Sequence, residues 1–140
     1  MSRLGRRLAF DYGDVRIGVA VCDPDGILAT PLDFLATKDP ALKALILSLC
    51  EEYQPTKIYL GLPLNLSGEH SEATKKALAF SEFLSKVVAC PIDLIDERLT
   101  TSSASASLSQ AGVSAKEQRM KIDSQAAVVI LESGLAQDRE

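Results

Sequence analysis

Four carboxylates sit where a charge is conspicuous against its neighbours: Asp11, the adjacent pair Asp96 and Glu97, and Asp123. Asp11 closes an alternating segment in which it shares a strand face with Ala9 rather than with Phe10, just ahead of Gly13. Asp96 and Glu97 end a short apolar segment. Period-2 geometry puts Asp96 on the face of Ile92 and Leu94 and Glu97 on the face of Asp93 and Ile95, so only one of the two can point into a shared site. Asp123 precedes a nearly continuous apolar run containing Ala126, Ala127, Val129, Ile130 and Leu131, with Ile122 on its other side. A carboxylate on such a helical stripe carries a desolvated charge that a cation or hydrogen-bond donors must compensate.

Each acid also has a plainer explanation. Asp11 can close a turn through its side chain. Asp96 and Glu97 can form a solvated strand end beside Arg98, and Asp123 can be a first-turn acid favoured by the helix dipole if a helix starts near Lys121. Taken together, acids from three separated elements supply hard oxygen ligands for Mg²⁺ or Mn²⁺, without the thiol or imidazole set that suits zinc. Two such ions about 4 Å apart activate a water, steady a leaving oxygen and offset phosphate charge, so phosphodiester hydrolysis would need no side-chain nucleophile.

The elements that must position these acids follow from hydrophobic period. Residues 7–12 and 16–21 read as strands joined across Gly13 and Asp14. A turn at Asp23-Pro24-Asp25-Gly26 leads to a third strand over 27–35, broken near Pro31. This is an antiparallel meander. Asp39 as cap and Pro40 at the first helical position predict a helix carrying Leu42, Leu45, Ile46, Leu49 and Tyr53, ended by Pro55. A strand over 57–62, a loop over 63–68, a helix over 73–88 and a strand over 92–97 follow. Residues 102–111 are helix-compatible and stop at Gly112, and Ser114-Ala115-Lys116-Glu117 matches a capping box opening helix that extends to about residue 136. The whole order predicts one α/β domain over 1–140: a five-stranded mixed sheet, antiparallel meander then α-β-α-β-α, flanked by helices.

Composition narrows the function classes. A chain of 140 residues with 46% hydrophobic and 24% charged residues can bury its own core, and no stretch approaches the roughly 20 apolar residues of a membrane span. The start, Met1 to Arg7, lacks the apolar core of a secretory signal, which predicts a cytoplasmic protein with no membrane partner. Three cysteines without a CxxC pair and a single histidine, His70, indicate neither a disulfide framework nor a multi-histidine metal site. A net charge of −4 means that nucleic acid would have to be held by local basic groups. The candidates are Arg3, Arg6 and Arg7, then Arg16, Arg98 and the cluster Lys116, Arg119 and Lys121, each of which also reads as ordinary surface charge.

Four blocks carry a family resemblance: Phe10-Asp11-Tyr12-Gly13 with Arg16-Ile17-Gly18-Val19-Ala20-Val21; Gly61-Leu62-Pro63-Leu64-Asn65 with Gly68; Asp96-Glu97-Arg98-Leu99-Thr100-Thr101; and Ile122-Asp123 with Ala126-Ala127. In these blocks and their order the chain resembles the YqgF/RuvX family, the pre-16S rRNA nuclease group related to the RuvC resolvases. The resemblance implies an RNase H-like fold, an acidic metal site at Asp11, Glu97 and Asp123, and trimming of the 16S rRNA precursor at its 5′ end during ribosome biogenesis. Choosing Glu97 over Asp96 rests on that resemblance. In the same blocks Arg16 and Arg98 are suited to phosphate contact and Asn65 to a turn or a substrate contact. The stretch 116–121 departs from the family, because Glu117 and Gln118 interrupt a run expected to be more basic.

Competing functions are a resolvase of four-way DNA junctions, which needs two sites and hence a homodimer, and a non-catalytic module that holds RNA during assembly of ribosomal particles. The residues by themselves fix neither a monomer nor a homodimer. Asp11-x-Gly13 also fits a phosphate-binding turn of an actin-like ATPase, but 140 residues lack the second lobe of such a cleft.

Overall fold

The computed structural model describes residues 5–64, 67–99 and 124–139. The strands are β1 (Arg7–Asp11), β2 (Arg16–Cys22), β3 (Ala29–Ala36), β4 (Lys57–Leu62) and β5 (Ile92–Asp96). The helices are α1 (Leu42–Tyr53), α2 (Glu72–Val87) and α3 (Gln125–Arg139). The five strands form one mixed sheet in the order β3-β2-β1-β4-β5. β1, β2 and β3 pair antiparallel as the predicted meander, while β4 and β5 add parallel to β1.

Alternation along the central strands divides the core. Leu8, Phe10, Val19, Ile58 and Leu60 pack with Ile46 of α1 and Phe80 and Leu84 of α2. On the other face Ala9, Ala20, Tyr59 and Ile95 pack with Ala127, Ile130, Leu131 and Leu135 of α3. Ala9 and Ala20 are small, and α3 lies so close that a Cβ on Gly134 would fall 2.6 Å from the Tyr59 ring. Burial around most of α3 explains why its sequence is apolar on nearly every side.

Four expectations shift. β3 runs unbroken through Pro31, because it is an edge strand with no outer partner for the missing N–H. Asp39 does not cap α1: its Oδ1 accepts from the Ala41 N–H at 2.8 Å, so a turn uses it up and the helix starts at Leu42. α2 starts earlier than the apolar stripe suggests, capped by Ser71 with Thr74 in the reciprocal role. β5 stops at Asp96, and Glu97 opens a 3-10 turn over Glu97–Leu99. The predicted helical segments over 102–121, with Asn65, lie outside the described residues.

α3 is held at both ends by polar contacts to the sheet. At its start, the Ser124 hydroxyl accepts from the Val19 N–H at 3.1 Å and donates to the Leu32 carbonyl at 2.6 Å. Val19 and Leu32 flank the irregularity where the β2–β3 register shifts, so Ser124 satisfies two groups at a defect in that ladder. At its end, Asp138 accepts from Arg7 and Tyr59 at 2.5 Å each and from Lys57 at 3.0 Å. Arg7 and Lys57 begin β1 and β4, so α3 runs antiparallel to those strands and its first turn is directed towards their C-terminal ends.

Candidate active site

Because β1, β4 and β5 are parallel, their C-terminal ends share one edge of the sheet, where open α/β sheets usually place their sites. Asp11 ends β1 there and Glu97 follows β5 there. Between them runs β4, whose Gly61 pairs with Ile95. A Cβ at Gly61 would lie 2.4 Å from Ile130 Cδ1 and 3.1 Å from Glu97 Cδ. The missing side chain is the space into which Glu97 folds. A glycine inside a strand signals such close approach, and that signal points to Gly61 from sequence, although its partner cannot be read there.

The carboxyl groups of Asp11 and Glu97 are hydrogen-bonded to each other. Burial pushes the Glu97 carboxyl up to about 7, helped by the charge of Asp11, by the hydrogen bond to it and by Asp96. Burial also raises Asp11, while its hydrogen bond with Glu97 pulls the other way. Two acids pressed together in a half-buried site cannot both ionise cheaply, so they share a proton or face a cation.

Asp96 has other work. Its carboxylate accepts from the Arg98 backbone N–H at 2.9 Å and takes the guanidinium side-on, with Nε at 3.1 Å from both oxygens and NH2 at 2.6 Å. That hydrogen bonding to Arg98 holds Asp96 below the usual carboxylate range. The acid pair therefore separates into Glu97, facing Asp11, and Asp96, clamping Arg98, a division that strand alternation leaves open. Arg98 also lies near the β4–α2 loop, 3.5 Å from where a Cβ on Gly68 would stand. Arg16 opens β2 at the same edge of the sheet, its guanidinium 5.1 Å from the centroid of the Phe34 ring.

Of the predicted residues the structure thus brings Asp11 and Glu97 together and sets Arg16 and Arg98 on the same edge. Asp123, Lys116, Arg119 and Lys121 lie outside the described residues, and among the described residues no three His, Cys, Asp or Glu side chains cluster as a metal site. Ser124, the residue after Asp123, is fixed by its two bonds to the β2–β3 defect. His70 is exposed in the loop before α2.

Comparison with known proteins adds a family. The profile described as "RuvX: Holliday junction resolvase" matches residues 5–137. A Streptomyces avermitilis protein described as "Putative pre-16S rRNA nuclease" is 49% identical over 139 residues, covering 98% of this chain and 89% of that protein. A Mycobacterium leprae protein of the same description is 47% identical over 137 residues, covering 96% and 74%. In fold, the chain is similar to Thermus thermophilus RuvC solved in complex with a Holliday junction substrate, with a TM-score of 0.59, 14% identity and 96% of each chain covered. RuvC is RNase H-like, as expected from sequence. The chain belongs to the RuvX family.

Proposed function

We propose that this protein is a divalent-metal-dependent nuclease that processes the 5′ end of precursor 16S rRNA in the bacterial cytoplasm. The observation that carries the reading is the contact between Asp11 and Glu97 at the shared end of parallel strands. The identity of 49% to a protein named for that substrate supports the choice of RNA.

The donor chemistry fits a hard cation. Both groups are carboxyl oxygens, their mutual repulsion raises the affinity of the pair for positive charge, and the missing side chain of Gly61 is what lets Glu97 reach Asp11. Asp11 and Glu97 would hold Mg²⁺ or Mn²⁺, with Asp123 as the third ligand and room in the chemistry for two ions. The bound metal would supply Lewis-acid activation of water and neutralisation of phosphate charge. Arg98, oriented by Asp96, and Arg16 orient the backbone phosphates. Lys116, Arg119 and Lys121 extend that contact along the strand.

Purified protein incubated with 5′-extended precursor 16S rRNA in Mg²⁺ or Mn²⁺ should shorten it, and chelation, Asp11→Asn or Glu97→Gln should stop the reaction. Cleavage that survives both substitutions overturns the site. The description of the matching family supports a second substrate, a four-way DNA junction, which requires a homodimer to place two sites. Cutting of the junction alone, in a parallel incubation, replaces the rRNA reading with this one.

A further inference from the structure

Every other Phe and Tyr of the chain belongs to one of the two core clusters, whereas Phe34 belongs to neither. It sits half-buried on the edge strand β3, and a bulge decides where it points. Ile17 pairs with Leu35 and Val19 with Leu32, so Asp33 and Phe34 together oppose the single residue Gly18. Leu32 and Leu35 both pack on the α1 and α2 side of the sheet. Regular alternation would send Phe34 to that side with Leu32, and the extra residue turns it to the α3 face instead. The contact with Arg16 agrees. Arg16 alternates away from Ile17, which lies in the cluster under α1 and α2, and its guanidinium carbon is 5.1 Å from the centroid of the Phe34 ring.

The α3 face is also the face of the acid pair. Asp11 shares it with Ala9, and Asp11 pairs with Gly18 across the β1–β2 ladder. Phe34 therefore stands in the same row as Asp11, two strands away, which is roughly 10 Å at the usual strand spacing. Gly18, between them, has no side chain to interrupt the row. Ser124 holds the bulge through its bonds to Val19 and Leu32, so the direction of Phe34 is fixed from the residue next to Asp123. A half-buried ring in line with the carboxylates, with an exposed cation over it, has the parts of a single-strand platform. The π face takes a base and the guanidinium meets its phosphate.

We propose that Phe34, with Arg16 over its ring, is a stacking platform for an unpaired base of the substrate strand beside the scissile phosphate. A base stacks there only after leaving its neighbours, so the RNA is single-stranded where it crosses β2 and β3. Every base has a π face, and the platform positions the strand without reading its sequence. The inference rests on the nuclease reading above and adds the form of RNA that the site accepts.

The test is stopped-flow fluorescence anisotropy of the full chain in Mg²⁺, read before cleavage. The probe is a short single-stranded RNA from the 5′ extension of precursor 16S rRNA, with one abasic nucleotide moved position by position. One abasic position should weaken binding about tenfold, the size of one base–aromatic stack. Phe34→Leu, which keeps apolar bulk at the strand edge, should bind the intact and abasic RNAs alike, while Phe34→Tyr should keep the difference. Taking the ratio within each variant cancels any loss of folded protein. Annealing a complementary strand over that position should also weaken binding to the unaltered protein. A penalty that survives in Phe34→Leu or vanishes in Phe34→Tyr, no penalty at any position in the unaltered protein, or equal binding of the duplex overturns the platform and leaves the nuclease reading standing. Failure to bind any of the RNAs overturns both.

Discussion

The Asp11 and Glu97 carboxyl groups share a hydrogen bond, although Asp11 ends the first strand and Glu97 follows the last. In metal-free protein this pair makes stability depend on pH. Below the ordinary Glu value of 4.5, Glu97 is protonated in both the folded and the unfolded chain, and the pair exerts no penalty. Between 4.5 and about 7 the unfolded chain releases the proton and the folded chain keeps it, so stability falls as pH rises through this window. Thermal melts in chelator should show that decline, and Glu97→Gln should flatten it. An equally steep decline in the variant would mean that Glu97 is not the titrating group.

Metal should compete with the shared proton. Mn²⁺ added to the protein below pH 7 should release protons, measurable by calorimetry in buffers of different ionisation enthalpy, and should raise the melting temperature. Asp11→Asn should lose both effects and lower cleavage by more than about 100-fold, as expected when a ligand of a catalytic ion is removed.

Gly61→Ala places a methyl group 2.4 Å from Ile130 Cδ1 and 3.1 Å from Glu97 Cδ. Overpacking of this kind costs about 1–3 kcal/mol. Adding Ile130→Val removes the first clash but not the second. The double variant should therefore regain melting temperature without regaining cleavage. Joint recovery would show that Gly61 serves packing alone.

Ser124→Ala removes one hydroxyl that serves two backbone groups, the buried Val19 N–H and the Leu32 carbonyl. Leaving a buried donor unpaired costs about 1–3 kcal/mol, so denaturant melts should shift by that amount. Because Ser124 adjoins Asp123 in sequence, the variant should also bind Mn²⁺ more weakly than its stability loss explains. Unchanged affinity in the folded variant would separate the helix anchor from the metal site.

Asp138→Ala strips the acceptor shared by Arg7, Tyr59 and Lys57 at the other end of α3. Arg7 is 8% exposed and keeps the Tyr59 hydroxyl as a partner, so losing its ion pair with the partly exposed Asp138 should cost about 1–3 kcal/mol. The loss should appear as faster hydrogen exchange in α3, with the Asp11–Glu97 pair titrating as before.

Strand and helix order was legible wherever burial alternates locally. β4 at Lys57–Leu62 has the bounds that its apolar run predicts, and β1 and β2 differ by a residue at their ends. The α1 cap was not legible, because Asp39 followed by Pro40 looks the same whether Asp39 caps a helix or closes a turn before it. The α2 start was missed because Thr74 fills the position where glutamate is the usual signal.

For the candidate site, residue type and period were enough to single out Asp11 and to narrow the second acid to Asp96 or Glu97, since both depend on which face of one strand a side chain takes. Which of the two meets Asp11 depends on strand order. With β4 inserted between β1 and β5, a side chain can cross from one to the other only where the intervening residue has no Cβ, and Gly61 is that residue. Asp96, on the opposite face, is left to bind Arg98. Hydrophobic period is local and survives in a single sequence; the pairing of two acids across a third strand is set by how both faces of the sheet are buried, and only the folded chain decides it.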